Sequence, residues 1–173
     1  MPDLSVLPTL ANIATVFIAL CALVLTYAQV RSIHKHNRIS VRPYLTTWEH
    51  IGGEDDSYVV DLINGGTGPA IIKSCTLFLD DKPMEGTELE PMLNLYDELF
   101  SGYEFAPYST YWNSGFVLSA NQTRIFGKIQ FNGNKKPTAN EVTEAFKRAN
   151  VLIKYESAYA ESFTYSSKEQ RNI

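Results

Sequence analysis

The feature that most constrains this chain is an uninterrupted apolar stretch near its beginning. From Leu4 to Val30 the sequence contains no charged residue, and its densest apolar part runs from Leu10 to Ala28. A helix of about 20 residues crosses the roughly 30 Å hydrocarbon core of a bilayer. The sequence therefore predicts a transmembrane anchor over residues 1–30.

Charges on the two sides of this stretch predict its orientation. The chain begins Met-Pro-Asp-Leu-Ser, without the basic residues that open a cleaved secretory signal. Residues 31–42 follow the stretch directly and contain no acid but four fixed positive charges, namely Arg31, Lys35, Arg38 and Arg42. Since cytoplasmic flanks carry the Lys/Arg excess, we expect a retained signal anchor in the inner (plasma) membrane, with its N-terminus outside and the rest of the chain in the cytoplasm. We also expect this basic juxtamembrane segment to contact anionic lipid headgroups.

A polar residue inside the anchor suggests a contact between helices. Asn12 lies among small residues of the apolar run, which allow close approach of two helices. The sequence therefore predicts that the chain forms a homo-oligomer through this helix, with Asn12 as the packing candidate.

The charge of the middle of the chain argues against a broad nucleic-acid-binding surface. Residues 49–104 contain thirteen acids and two bases, which gives −11 in a chain of net charge −4. Duplex binding depends on clustered Lys and Arg. We therefore expect membrane lipid and an unidentified protein as partners, and no nucleic acid.

Residues 43–167 show the patterns of a β-rich domain. Short runs of β-branched and aromatic residues alternate with turn residues and predict strands at 44–50, 58–64, 69–80, 115–119, 123–131, 150–157 and 161–167. In the third run we expect one face to carry Ile71, Lys73, Cys75, Leu77 and Leu79. Helical spacing predicts two inserted helices, at 87–100 and at 138–150. The second begins with a capping box of Thr138 and Glu141. The predicted fold is mainly β: an N-terminal transmembrane helix followed by an antiparallel immunoglobulin-like sandwich, with an aromatic insertion at 86–114 and a tail at 168–173.

The stretch Asn-Gly-Gly-Thr-Gly-Pro-Ala-Ile-Ile, residues 64–72, raises the question of a phosphate-binding loop. Such a loop precedes a helix, but the residues after this one alternate as a strand does. The Gly-Lys-Ser/Thr ending of a nucleotide loop is also missing, because Gly68 is followed by Pro69. We therefore interpret Asn64, Gly66, Gly68 and Pro69 as a structural turn, in which the glycines supply positive φ or a close backbone approach between two strands.

The order of these features resembles a family of small bacterial single-pass membrane proteins. These proteins carry an immunoglobulin-like sandwich with the strand-turn motif Asn-x-Gly-x-Gly-Pro-Ala, which Asn64, Gly66, Gly68, Pro69 and Ala70 match. Their closing hairpin begins with Tyr-Glu-Asp, whereas this chain has Tyr155-Glu156-Ser157. Most members are uncharacterised and some lie among mobile or phage-related genes, so the resemblance implies a fold, no catalytic residue, and a role in phage exclusion or defence.

The residues that catalysis would require are scarce. The domain has one histidine, His50, and one cysteine, Cys75, which shares a predicted strand with apolar neighbours. The spacing of His34 and His36 and of the acidic clusters does not follow a metal-binding pattern. The sequence therefore predicts a non-enzymatic protein without cofactor or metal.

Aromatic residues are concentrated between residues 94 and 116. Rings of this kind supply contact area at interfaces, although some of them are expected to pack the insertion against the sheet. The surface candidates are Tyr103, Tyr108, Tyr111 and Trp112. The leading hypothesis is a membrane-anchored interaction module at the inner membrane that binds a protein through these rings. The alternatives are an oligomerising membrane effector or channel component, and a small-molecule or nucleotide sensor with a pocket between sandwich and insertion.

Overall fold

The computed structural model describes residues 6–51, 57–110, 112–169 and 171–172. The chain divides into two compact units, Met1–Ser40 and Val41–Ile173. The boundary follows the end of the first helix directly.

The first unit contains a single helix, α1, over Val6–Ser40. From Pro8 onward its apolar side chains are exposed, and the segment Pro8–Ser40 is long and apolar enough to cross a membrane. The hydroxyls of Thr15 and Thr26 each donate a hydrogen bond of 2.8 Å to the carbonyl oxygen four residues earlier. Both hydroxyls are thus hydrogen-bonded within the helix. This matters on an apolar surface, because an unpaired hydroxyl is costly in an apolar environment.

The second unit is mainly β. In chain order its elements are β1 (Leu45–Ile51), β2 (Ser57–Asn64), β3 (Ala70–Leu79), β4 (Lys82–Pro83), α2 (Glu90–Leu99), β5 (Phe105–Ser109), β6 (Val117–Leu118), β7 (Thr123–Phe131), α3 (Ala139–Phe146), β8 (Ala149–Glu156), β9 (Ser162–Ser166) and β10 (Arg171–Asn172). One antiparallel sheet has the strand order β1-β2-β7-β5 and the other β10-β9-β8-β3-β4, with β6 also paired to β3. The mainly β fold class and its antiparallel sheets are confirmed.

The two sheets share one hydrophobic core. It joins Leu62 and Ile129 of the first sheet to Ile72 and Ile153 of the second, all nearly or fully buried. The hydroxyls of Thr47 and Tyr165 bridge the sheets at 2.7 Å. Apolar residues therefore face inward from both sheets, as period-two alternation requires.

The predicted face of β3 is wrong. The register to β8 shifts between Ile72 and Ser74, so Lys73 is the extra residue of a β-bulge. Ala70 and Ile72 are buried before the bulge, whereas Leu77 is buried after it. An extra residue changes which face the following side chains occupy, and a uniform alternation across the strand could not anticipate this.

The helices are shorter than predicted. Helix α2 spans Glu90–Leu99 and buries Met92, Leu95 and Tyr96. Helix α3 begins after Thr138, whose hydroxyl accepts the Glu141 amide while the Glu141 carboxylate accepts the Thr138 amide, which confirms the capping box. It ends at Phe146 instead of residue 150, since Ala149 and Asn150 already pair with β3.

Two segments in which no strand was predicted contain one. The aromatic insertion includes β5, which pairs with β7 at the edge of the first sheet. The segment predicted as a tail includes β10, which pairs with β9.

The glycine-rich loop between β2 and β3 is a structural turn. The fully buried Asn64 side chain accepts the amides of Tyr44 and Gly66 through Oδ1, at 3.1 and 3.0 Å. A Cβ at Gly68 would collide with the Val41 carbonyl group. Close backbone approach therefore explains the glycine. The loop approaches the segment before β1, whereas an approach between two strands was expected.

Candidate interaction surface

The outer face of the first sheet carries the most exposed aromatic side chains of the described β-rich unit. On β1, Leu45 and Thr47 face the second sheet, so alternation places Trp48 and His50 on the opposite face. Trp48 is 61% exposed, which is unusual for so large an apolar side chain.

Strand pairing continues this face across the sheet. Trp48 pairs with Asp61 of β2, and Asp61 with Ile125 of β7. In the next row Lys128 of β7 pairs with Tyr108 of β5, which is 57% exposed. We call this set the aromatic outer face; its members are Trp48, His50, Asp61, Tyr108, Ile125 and Lys128.

A hydrogen bond between two side chains, His50 and Asp61, orders one end of the aromatic outer face. His50 Nε2 lies 3.1 Å from Asp61 Oδ2. The rings of Trp48 and His50 are tilted by 60° with centroids 6.4 Å apart. Exposed rings beside charged and polar groups have the composition of a protein-binding patch, in which aromatic anchors are surrounded by polar neighbours.

The edges of the same sheet are less suited to adding another strand. At one edge β5 contains Pro107, which has no amide hydrogen to donate. At the other, the Tyr155 hydroxyl hydrogen-bonds the backbone of Leu45, and the Tyr165 hydroxyl bonds both backbone and side chain of Thr47. Burial raises the pKa of Tyr155 to about 12, so this hydroxyl stays protonated at neutral pH. The face of this sheet is therefore more open to contact than its edges.

Of the three aromatic candidates that the structure describes, one lies on this face. Tyr108 does, as described above. Trp112 as a surface residue is wrong: it is 7% exposed and stacks on Phe126 with a centroid distance of 5.7 Å. Burial of a large indole ring is strongly favourable, and the local sequence does not show whether a buried site is present. Tyr111 lies outside the described residues.

Tyr103 has a structural position. Its ring is half-buried, contacts Phe131 edge-on at 6.1 Å and lies beneath the ammonium of Lys135 at 4.8 Å. Its hydroxyl also bonds the Glu141 carboxylate, one of the contacts that lower the pKa of that acid, after the larger contribution from Thr138. Tyr103 therefore ties the insertion to the loop before α3.

Sequence reasoning missed Trp48. The signal was present, because Leu45 and Trp48 differ in parity within one strand, so burial of Leu45 would expose Trp48. The prediction favoured the insertion because its aromatic residues are more densely spaced, but several of those rings belong to the core.

The structure does not bring His50 and Cys75 together as a catalytic pair. His50 lies on the outer face of the first sheet, whereas Cys75 packs against the core from the second. Burial raises the pKa of Cys75 to about 12, which keeps the thiol neutral and poorly nucleophilic.

Among the described residues, Met92 of α2 lines two cavities. One of about 70 Å³ opens beside Thr47 and Glu49, where the Tyr58 hydroxyl bonds the Glu49 carboxylate. Burial, and secondarily the Glu49 charge, raise the pKa of Tyr58. The other, of about 250 Å³, lies between β3, α2 and the loop that follows β5.

The basic candidates are divided between the two units. Arg31, Lys35 and Arg38 lie on α1 and are exposed. Arg42 belongs to the β-rich unit, where its guanidinium carbon lies 4.9 Å from the centre of the Phe163 ring. A cation–π contact thus accounts for this side chain's position.

Fold and surface together define a class: a β-sandwich unit that follows a long apolar helix. No protein-family model matches this sequence, and no curated protein matches it. The immunoglobulin-like topology and the family resemblance stay predictions.

Proposed function

We propose that this chain is a non-enzymatic, membrane-anchored interaction module that binds a protein partner through the aromatic outer face. The observation that supports it best is the placement of Trp48 and Tyr108, both more than half exposed, on one face of one sheet. Large exposed rings lose little conformational entropy on binding and dominate the energetics of interfaces.

The anchor gives this module its place of action. An apolar helix such as α1 would hold the β-rich unit at the inner membrane, with the unit in the cytoplasm according to the basic flank. Confinement to a membrane raises the effective concentration of a partner on the same surface, so modest affinity suffices.

A co-purification experiment tests the proposal. Full-length chain carrying a C-terminal tag is isolated from native membranes in mild detergent, and the accompanying proteins are quantified. Trp48→Ala and Tyr108→Ala should each lower recovery of a specific partner by about tenfold or more, as loss of an aromatic anchor does.

Tyr159→Ala is the matched control. Tyr159 is an exposed tyrosine, at 46%, in the turn between β8 and β9. Equal recovery in all variants would contradict the aromatic outer face as the binding surface. Absence of any protein enriched by the wild-type chain would contradict the interaction function.

A second candidate function is assembly through α1. Asn12, Thr15 and Ala19 share one helix face, since they are separated by three and four residues. Small and amide side chains on one face suit helix–helix packing in a membrane and would serve an oligomeric effector or channel component. Asn12→Leu should then shift the detergent-solubilised chain toward monomer in sedimentation; a monomeric wild-type chain would contradict this role.

A third candidate is a small-molecule or nucleotide sensor, favoured by the cavity of about 250 Å³ beside α2. Its size is near the lower end of ligand pockets, so only a small compound would fit. A rise in unfolding temperature with one member of a nucleotide and metabolite panel would support this function, and an unchanged temperature across the panel would oppose it.

A further inference from the structure

Helix α1 is longer than a membrane span requires. Its 35 residues, Val6–Ser40, extend about 52 Å at 1.5 Å per residue, whereas the hydrocarbon core is about 30 Å thick. The apolar run ends at Val30, yet the helix continues without interruption for ten residues, Arg31–Ser40. This extension holds its side chains in fixed angular positions beyond the apolar run.

The charges of the extension lie along one side of the helix. Arg31, Lys35 and Arg38 are separated by four and three residues, so at 100° per residue they fall within a sector of about 60°. The exposed ring of Tyr27 precedes Arg31 by one turn and continues the same line toward the apolar run. We call Arg31, Lys35 and Arg38 the basic stripe.

The opposite side of the extension differs in chemistry. Ile33, His36, Asn37 and Ser40 occupy it, and none of them carries a fixed charge. The ten residues contain no acid that could neutralise the stripe within its own helix. A one-sided arrangement distinguishes this segment from a ring of basic residues that surrounds a helix evenly.

We propose that the basic stripe binds the phosphate groups of anionic phospholipids along one side of α1. The inference rests on the proposed membrane anchoring and adds the ligand and the side of the helix that recognises it. Two observations favour lipid as the ligand. The stripe is positive and the phosphate groups are negative, and the stripe directly follows the apolar run, so an inserted helix would place it at the level of the headgroups.

The depths of Arg31 and Lys35 fit a headgroup layer, and Arg38 reaches this layer if the helix tilts. Measured along the axis from Val30, Arg31, Lys35 and Arg38 lie about 1.5, 7.5 and 12 Å beyond the apolar run. The polar layer on each side of a bilayer is about 5–8 Å thick, so an upright helix would place Arg38 above it. A tilt of about 20° toward the stripe is ordinary for membrane helices. Together with the reach of a long side chain, it returns the Arg38 guanidinium to the phosphates.

Lipid selectivity at the protein surface provides the test. The full-length chain is reconstituted in phosphatidylcholine vesicles that contain a trace of spin-labelled phosphatidylglycerol or spin-labelled phosphatidylcholine. Electron paramagnetic resonance then gives the fraction of each label immobilised by the protein. We expect several-fold preference for phosphatidylglycerol at low salt, which decreases as salt screens the charges.

Two variants separate the effect of the number of positive charges from the effect of their arrangement around the helix. Arg31→Gln/Lys35→Gln/Arg38→Gln should abolish the preference. The control exchanges neighbours, Lys35→His/His36→Lys and Asn37→Arg/Arg38→Asn, which keeps composition and net charge but distributes the charges around the helix. It should insert normally and lose most of the preference.

The outcomes distinguish the inference from the function beneath it. A chain that fails to insert into the vesicles would contradict the proposed anchoring itself. Normal insertion without preference for phosphatidylglycerol would overturn the stripe as a lipid site. Undiminished preference in the exchanged variant would show that the arrangement of the charges is irrelevant. Undiminished preference in the triple-glutamine variant would show that another segment binds the lipid. Either result would overturn the inference.

Discussion

The side-chain amide of Asn64 donates a hydrogen bond of 2.8 Å to the carbonyl oxygen of Gly68. The same nitrogen also reaches the carbonyls of Leu118 and Ser119, at 3.0 and 3.2 Å. One buried side chain thus closes the loop between β2 and β3 and ties it to the end of β6 and the residue after it. The motif that resembles a nucleotide loop is therefore held by its own asparagine.

Removal of this side chain should destabilise the β-rich unit strongly. Asn64→Ala leaves buried carbonyls and amides without their partner, and we expect a loss of about 2–4 kcal/mol in the free energy of unfolding. Denaturant unfolding of the full-length chain in detergent, followed by near-ultraviolet circular dichroism, would measure it. Asn134→Ala, at an exposed position, is the control and should change stability little. A loss for Asn64→Ala as small as that of the control would contradict the role of this amide.

Two glycines of the same loop should differ in their tolerance of alanine. A Cβ at Gly68 would meet the Val41 carbonyl, and backbone cannot move aside cheaply, so Gly68→Ala should cost at least about 1–3 kcal/mol. At Gly65 the nearest atom is the Tyr44 carbonyl oxygen at 3.9 Å, an ordinary contact. Gly65→Ala should therefore be nearly neutral. Unfolding midpoints of the two variants compare them directly, and equal midpoints would refute the close approach.

Most of the fold could be predicted because local sequence patterns indicate most of its elements. The bounds predicted for β7, Thr123–Phe131, are those of the structure, since alternation and turn residues agree there. The capping box of Thr138 was readable for the same reason. Strand β5 was missed because Pro107 in a short run argues against a strand, yet pairing with β7 stabilises it at the sheet edge.

The candidate surface was harder to predict because exposure depends on tertiary packing. Tyr108 and Trp112 stand four residues apart with similar neighbours, but β5 carries one to the outer face while the other packs on Phe126. The register that joins Trp48 through Asp61 to Ile125 arises from long-range pairing. Local sequence contains the parity of each strand but not the identity of the strand beside it.

The buried thiol of Cys75 should react slowly with alkylating agents. Burial raises its pKa from 9.0 to about 12, so at pH 8 its thiolate fraction falls about a thousandfold relative to an unfolded chain. Iodoacetamide labelling of the Cys21→Ser chain, folded and in denaturant, would measure the ratio by mass spectrometry. Because the folded pKa is raised, the stabilisation from the neutral thiol is complete below pH 9 and is lost as pH rises toward 12. Equal labelling rates in the folded and denatured chains would contradict burial of the thiol.

The surface pair of Asp80 and Arg148 should make stability depend on pH in the acid range. Arg148 donates two hydrogen bonds to the Asp80 carboxylate, at 3.0 and 2.6 Å, and these lower the pKa of Asp80 below its ordinary 3.8. A depressed folded pKa contributes stability above the unfolded value, and this contribution disappears as pH falls through the folded pKa. Asp80→Asn should therefore be slightly less stable than wild type at pH 7, and the difference should shrink below about pH 4. Thermal unfolding across this range, repeated in an Arg148→Gln background, isolates the pair. If Asp80→Asn caused the same pH-dependent difference without Arg148, the guanidinium would not be the cause of the lowered pKa.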